Sequence, residues 1–194
     1  MTPEIRAFEY ALGLYAVLIG LAVADIANSL HRLIRRASTV RWDPLTLLAA
    51  AYAFCIAVGM WFDLWGVRNV AATRHFFFYF SLVAEFVVLF LIAAASLPDE
   101  PGDGDLRTYY GVNQRYYWSL VAVFQLSYFL NGLYFTGSMI ARAGRAGVPL
   151  VLEMGLPFLV ALVLVFVRRR AVHYAGVTLL LALTASHYAR YQIN

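Results

Sequence analysis

Six long apolar segments, separated by polar connections, make up most of the chain. A membrane-spanning helix needs about 20 mostly apolar residues, and each of the six segments is long enough. The second segment opens on Pro44, which suits the first turn of a helix because its missing N–H is not needed there. The pattern predicts an all-α polytopic membrane protein whose single domain is a bundle of six transmembrane helices. The predicted helices cover residues 9–30, 44–67, 76–97, 115–140, 148–167 and 171–190.

The longest polar connection is the acidic segment 98–106, in the middle of the chain. Its carboxylates do not follow the fixed spacing of an EF-hand calcium loop. We therefore interpret the segment as a solvated loop between the third and fourth helices.

The composition agrees with the apolar pattern. Of 194 residues, 62% are hydrophobic and 13% are charged, and the mean hydropathy is +0.70. A soluble domain is usually about 45–50% apolar and about 25% charged, so this chain has too few polar residues to cover a water-facing surface. These values predict the lipid bilayer as its principal partner. They exclude an ordinary soluble enzyme and a nucleic-acid-binding domain.

All fifteen basic residues are arginines, which excludes covalent catalysis by lysine. An arginine-only composition is typical of a GC-rich bacterial genome, so we predict the inner membrane of a bacterium. Cytoplasmic loops carry an excess of basic residues. With the N-terminus periplasmic, nine arginines fall on the cytoplasmic side and six on the other. This bias favours periplasmic N- and C-termini.

Glu85 lies near the centre of the third predicted helix, among apolar residues. An ionisable group at this depth is costly, by about 2.5–3.5 kcal/mol on insertion scales, unless it has a partner, water or a proton. Such a carboxylate is what a proton relay or cation site requires. The alternative is a neutral side chain bonded to Gln125 or Ser127, which lie at similar depth in the fourth helix.

Asp25 and Asn28 share one face of the first helix, because residues three apart lie on the same side. Beside them, Gly20 and Ala24 continue a row of small residues at every fourth position, which allows another helix to approach closely. We predict a homo-oligomer from this row. Asp25 and Asn28 form either a packing seam or the cytoplasmic mouth of a polar pathway.

Glu153 precedes Pro157 by four residues in the fifth helix. Proline cannot donate to the carbonyl one turn before it, so a free carbonyl and a carboxylate share one position. Interrupted helices beside polar groups are typical of transport sites. Asp63, in contrast, lies between two tryptophans at the end of the second helix, and we interpret it as an interfacial anchor.

His173 and His187 are fourteen residues apart on the sixth helix, which is about 21 Å along its axis. This separation resembles that of haem-b membrane cytochromes, in which one helix supplies ligands to two stacked haems. The resemblance implies two further ligands, and the remaining histidines are His31 and His75. His31 and His75 both lie nearer the ends of their helices than they would if they bound the same two haems as His173 and His187.

No catalytic motif is present, and the single Cys55 excludes a cysteine-based metal site within one chain. We therefore favour a non-enzymatic function that needs no cofactor or metal. The favoured function is that of a small membrane channel or carrier for protons, cations or a small solute. The alternatives are a di-haem b-type electron carrier and a non-catalytic structural or assembly subunit of a membrane complex. The predicted pathway residues are Glu85, Glu153, Asp25, Asn28 and Gln125.

Overall fold

The computed structural model describes residues 3–67, 76–99, 105–143 and 148–189. Within these ranges the chain is all-helical and contains no strand, which confirms the predicted fold class at that level. The one isolated backbone bridge in them joins Arg41 and Asp105. The six helices are α1 (Pro3–Arg35), α2 (Pro44–Val67), α3 (Phe76–Ser96), α4 (Leu106–Ala143), α5 (Val148–Phe166) and α6 (Arg170–Ala189).

Three helices in the described part of the chain are long and apolar enough to cross a membrane. The qualifying stretches are Ala11–Arg35, Pro44–Leu64 and Tyr79–Ser96, and Met154–Phe166 in α5 is a shorter apolar stretch. These three helices are consistent with a membrane protein.

Helix α4 differs most from the sequence prediction, since it begins at Leu106 and not near residue 115. Asp105 caps the helix, because its Oδ1 accepts hydrogen bonds from the backbone N–H of Arg107 at 2.9 Å and of Thr108 at 3.2 Å. With 38 residues, α4 is about 57 Å long. It therefore exceeds the roughly 30 Å of a bilayer's hydrocarbon core, and hydropathy alone did not predict its polar first turns.

Helices α2 and α4 are the centre of the packing. Helix α4 contacts α5, α3 and α2, whereas α2 also contacts α1 and α6. Large side chains fill the space between these helices. Tyr15, Tyr52, Phe86 and Trp118, one from each of α1 to α4, are fully buried.

A partly buried ion pair joins α2 to α6 at the end of the bundle where both helices begin. Asp43 is buried, and Arg170 Nη2 donates a hydrogen bond to its Oδ1. Oδ2 of Asp43 accepts a hydrogen bond of 3.2 Å from the backbone N–H of Thr46. Asp43 is therefore the N-cap of α2. One carboxylate therefore fixes the start of α2 and the position of α6.

Candidate functional site

Three polar side chains form a row along one face of α4. Gln125, Tyr128 and Asn131 are spaced three residues apart, which places them on the same side of a helix. We call them the α4 polar row. Each bonds to a different side chain on α2 or α3. The pairs are Gln125 Nε2 to the Tyr52 hydroxyl at 2.6 Å, the Tyr128 hydroxyl to Asp63 Oδ2 at 3.0 Å, and Asn131 Nδ2 to Glu85 Oε2 at 3.0 Å.

Asp63 is the most heavily contacted carboxylate of this region. Besides the bond from Tyr128, its Oδ2 accepts a hydrogen bond of 2.8 Å from the hydroxyl of Tyr188 on α6. His187 Nε2 lies 3.7 Å from the other oxygen, Oδ1, and forms an ion pair with it when the imidazole is protonated. Asp63 thus connects α2, α4 and α6, and we did not predict this role from the sequence.

A glycine makes the Tyr188 contact possible. Gly59 lies one helical turn before Asp63 on α2, and a Cβ atom placed there would overlap the Tyr188 ring. Because glycine has no side chain, the ring passes directly over the α2 backbone and its hydroxyl reaches the carboxylate. Gly59 is therefore a positioning residue for Tyr188.

Asp63 faces a cavity of about 150 Å³ between α2, α4, α5 and α6. We call it the Asp63 cavity. Its polar side chains are gathered around the carboxylate, and the rest of the lining is mostly apolar. None of the described residues that line it is an arginine, and among the described residues the basic side chain paired with Asp63 is His187. The lining residues on which the proposals below depend include Asp63, Gln125, Tyr128, His187, Phe124 and Met154.

Glu85, the predicted central ion site, is enclosed in packing with 2% of its surface exposed. Its Oε2 accepts the hydrogen bond from Asn131, and its buried Oε1 has no hydrogen-bond partner among the described residues. Its partner Asn131 lies one turn beyond Tyr128 on α4, but Glu85 itself is not among the described residues that line the cavity.

The partner of Glu85 differs from the two side chains that sequence depth suggested. Gln125 bonds to Tyr52 on α2, and Asn131 bonds to Glu85 on α3. Depth along the helix axis was the only criterion for the prediction, and depth does not fix which way a helix is rotated about that axis. Gln125 is nevertheless among the residues that line the Asp63 cavity.

Asp25 and Asn28 lie away from this site, toward the end of α1. Asp25 is partly buried, with no hydrogen-bond partner for its Oδ2 among the described residues, and Asn28 is exposed. One turn further on, Arg32 forms an exposed ion pair of 3.3 Å with Asp99. The structure does not place Asp25 or Asn28 in the described wall of the Asp63 cavity.

The side chain of Glu153 and the whole of His75 lie outside the described residues. Pro157, the helix-interrupting residue that we linked to Glu153, lies inside α5 and lines the Asp63 cavity. Helix α5 continues through Pro157 from Val148 to Phe166, so the expected interruption is not observed there, although Pro157 lies at the same cavity as Asp63.

His173 is fully buried, and both of its ring nitrogens are hydrogen-bonded. Nε2 lies 2.7 Å from the carbonyl of Val167, which can only accept, so this nitrogen carries the proton. Nδ1 then accepts from the Tyr110 hydroxyl at 2.7 Å, and that hydroxyl accepts from Trp118 Nε1 at 2.9 Å. To ligate a haem iron, His173 would have to give up one of these bonds.

The other predicted haem ligands have different surroundings. His31 is exposed on α1, whereas His187 lies beside Asp63 at the opposite end of α6 from His173. The described geometry does not bring His31 and His173 into contact.

Comparison of the chain with protein-family models, with curated proteins and with solved structures gives no match.

Sequence reasoning missed Asp63, Tyr128, Tyr188 and Asn131. The available signal was the spacing of polar residues on α4, since Gln125, Tyr128 and Asn131 recur every third position within an otherwise apolar region. Tyr188 gave no comparable signal, because a tyrosine near the end of a membrane helix is typical of the lipid interface.

Proposed function

We propose that the chain is a six-helix integral membrane protein that transports protons or another small cation by way of the Asp63 cavity. Three of the helices are long and apolar enough to span a bilayer. Exposed large apolar side chains on the other three, such as Leu130 on α4, Leu159 on α5 and Leu179 on α6, support their contact with lipid as well.

The observation that carries the proposal is a carboxylate facing a cavity between four helices. Intramembrane ionisable groups are costly and commonly mark ion pathways. Asp63 is held by two phenols and faces a cavity whose described lining includes no arginine. When it is ionised, the Asp63 carboxylate favours a cation over an anion or a neutral solute in the cavity.

The residues around Asp63 also suit proton exchange. Two phenol donors fix Oδ2, which leaves Oδ1 facing His187 and the cavity. Histidine titrates near neutral pH and commonly passes protons to and from carboxylates. In this mechanism His187 exchanges protons with Asp63, while Tyr128 and Asn131 of the α4 polar row hold Asp63 and Glu85 in place. With both termini periplasmic, the cavity lies in the periplasmic half of the bundle.

Flux measurements on the purified full-length chain test this proposal. The protein is reconstituted into liposomes containing a pH-sensitive dye, and a potassium diffusion potential drives cations inward. We expect flux from the unmodified protein, a loss of about tenfold or more in Asp63→Asn, and little change in Asp99→Asn. Asp99 is a suitable control because it is an exposed carboxylate in the acidic segment, paired with Arg32.

A second function is favoured by the enclosure of Glu85. Glu85 is buried and bonded to Asn131, and a residue that only holds helices together would have the same two properties. In that case the chain is a structural or assembly subunit of a membrane complex. Absence of flux from the intact protein, whether as a monomer or as the predicted homo-oligomer, would support this alternative and contradict transport.

A further inference from the structure

We propose that the Asp63 cavity binds an organic monoammonium ion whose apolar body is about the size of a benzene ring. This inference rests on the proposed function, because the ion would be the cargo of the same site. It follows from four properties of the cavity: its acceptor atoms, the absence of a metal-ligand set among the described residues, its walls and its volume.

The first property is the acceptor that Asp63 offers. Oδ2 already accepts hydrogen bonds from Tyr128 and Tyr188. Oδ1 lies 3.7 Å from His187 Nε2, which is longer than a hydrogen bond. A carboxylate oxygen can accept more than one hydrogen bond, so Oδ1 can receive an N–H of an ammonium group in the cavity.

The second property weighs against a bare metal ion. Calcium takes six to eight oxygen ligands and magnesium needs near-octahedral coordination. The described residues contain no group of three or more histidine, cysteine, aspartate or glutamate side chains that could hold a metal. The described side chains alone would not give a bare ion a full set of ligands in exchange for its water, whereas an ammonium ion needs few acceptors and brings its own apolar surface.

The third property is the chemistry of the walls. On α4, Phe124 and Tyr128 are stacked, with ring centroids 6.4 Å apart and an interplanar angle of 17°. On α6, His187 and Tyr188 meet edge to face, with centroids 4.8 Å apart. Aromatic faces attract cations, and the flexible thioether of Met154, which completes the lining on α5, adapts to apolar guests. These walls suit a guest with both a charge and an apolar body.

The fourth property is size. An apolar cavity of about 150 Å³ can hold benzene, and the Asp63 cavity has about this volume. Benzylammonium is therefore a suitable probe, because its ring matches the volume and its aminomethyl group can extend toward Asp63. Benzyl alcohol is the matched neutral control, and potassium chloride supplies a bare monovalent cation at the same ionic strength.

Isothermal titration calorimetry of the full chain in a neutral detergent tests the inference. We expect one benzylammonium per chain, with an affinity about tenfold or more above that of benzyl alcohol. This comparison requires no variant, so it does not depend on how a mutant folds. Asp63→Asn should lose the preference for the charged probe, and Asp99→Asn should keep it.

Three results would overturn the inference: equal affinities for benzylammonium and benzyl alcohol, no binding of benzylammonium, or competition by potassium at equal concentration. Failure here is distinguishable from failure of the transport proposal. If benzylammonium does not bind while liposomes show Asp63-dependent flux, the cargo class is wrong and transport stands. If it binds with the expected preference but liposomes show no flux, the ligand class stands and transport fails.

Discussion

The hydroxyl of Tyr128 on α4 donates a hydrogen bond of 3.0 Å to Oδ2 of Asp63 on α2. One turn further along α4, Asn131 donates to Glu85 on α3. A single turn of α4 therefore bonds to one carboxylate on each of two other helices.

Substitution of Gly59 by alanine should displace Tyr188 from Asp63. A Cβ at this position overlaps the Tyr188 ring, so the ring must move and its 2.8 Å hydrogen bond to Asp63 is lost. We expect the free energy of unfolding to fall by about 1–3 kcal/mol, measured by denaturation in a neutral detergent.

Gly111→Ala on α4 is the matched control, because a Cβ on Gly111 meets no atom within 4 Å. It should change stability only by the helix preference of alanine over glycine, a gain of at most about 1 kcal/mol. Equal effects of the two substitutions would show that the close approach of Tyr188 to α2 is not required.

Asp43→Asn should destabilise the bundle by leaving Arg170 without its carboxylate. Asparagine can still cap α2, so the substitution removes mainly the charge. The Arg170 side chain is 33% exposed, and water therefore offsets part of the penalty that a fully buried unpaired charge would carry. We expect a loss of about 1–3 kcal/mol, measured by thermal unfolding.

Two further variants separate the ion pair from other effects at Asp43. Arg170→Met combined with Asp43→Asn should recover part of the lost stability, because no unpaired charge then remains. Asp99→Asn removes the exposed partner of Arg32 and should cost at most about 1 kcal/mol. A double variant no more stable than Asp43→Asn alone would contradict the account.

The cap of α4 should make stability depend on pH. Hydrogen bonds from the backbone N–H and hydroxyl of Thr108 and the backbone N–H of Arg107 lower the pKa of Asp105 below its ordinary value of 3.8. A carboxyl group whose pKa is lowered by folding stabilises the protein fully above its unfolded pKa, and this contribution is lost as the pH falls through the folded pKa.

We therefore expect the difference in melting temperature between the unmodified protein and Asp105→Ala to be largest near about pH 6 and to narrow near about pH 3. The measurement is thermal unfolding of both proteins across this range. A difference that stays constant or widens toward low pH would show that the ionised carboxylate does not contribute.

The absorption spectrum of the purified protein should lack a Soret band. His173 uses both ring nitrogens in bonds to Tyr110 and Val167, and breaking either bond would leave a buried polar group unpaired, at about 1–3 kcal/mol. A Soret band that disappears in His173→Ala would instead support the di-haem alternative.

The fold was predictable from the sequence where hydropathy and local capping agree. Helix α2 begins at Pro44 and ends at Val67, as the pattern predicts, because a buried Asp43 caps a long apolar run. The first turns of α4 were not predictable from hydropathy, since they are polar and are stabilised by Asp105. A membrane-span criterion detects apolar length and not the polar extension of a helix.

The site was less predictable than the fold. The burial of Glu85 followed from its position in an apolar helix, and Gln125 lines the cavity. Asp63 was interpreted as an interfacial anchor, because its position at a helix end between tryptophans is typical of that role. Its partner Tyr188 is 125 residues away along the chain, and no local pattern connects two such positions.

The initial rate of cation flux per reconstituted chain, compared among the unmodified protein, Asp63→Glu and Asp63→Asn, tests the central claim most directly. The account predicts that Asp63→Glu, which keeps the negative charge, retains a measurable rate. It predicts that Asp63→Asn, which keeps the size but not the charge, loses about tenfold or more. Equal rates in all three proteins, or no flux from the unmodified protein, would contradict it.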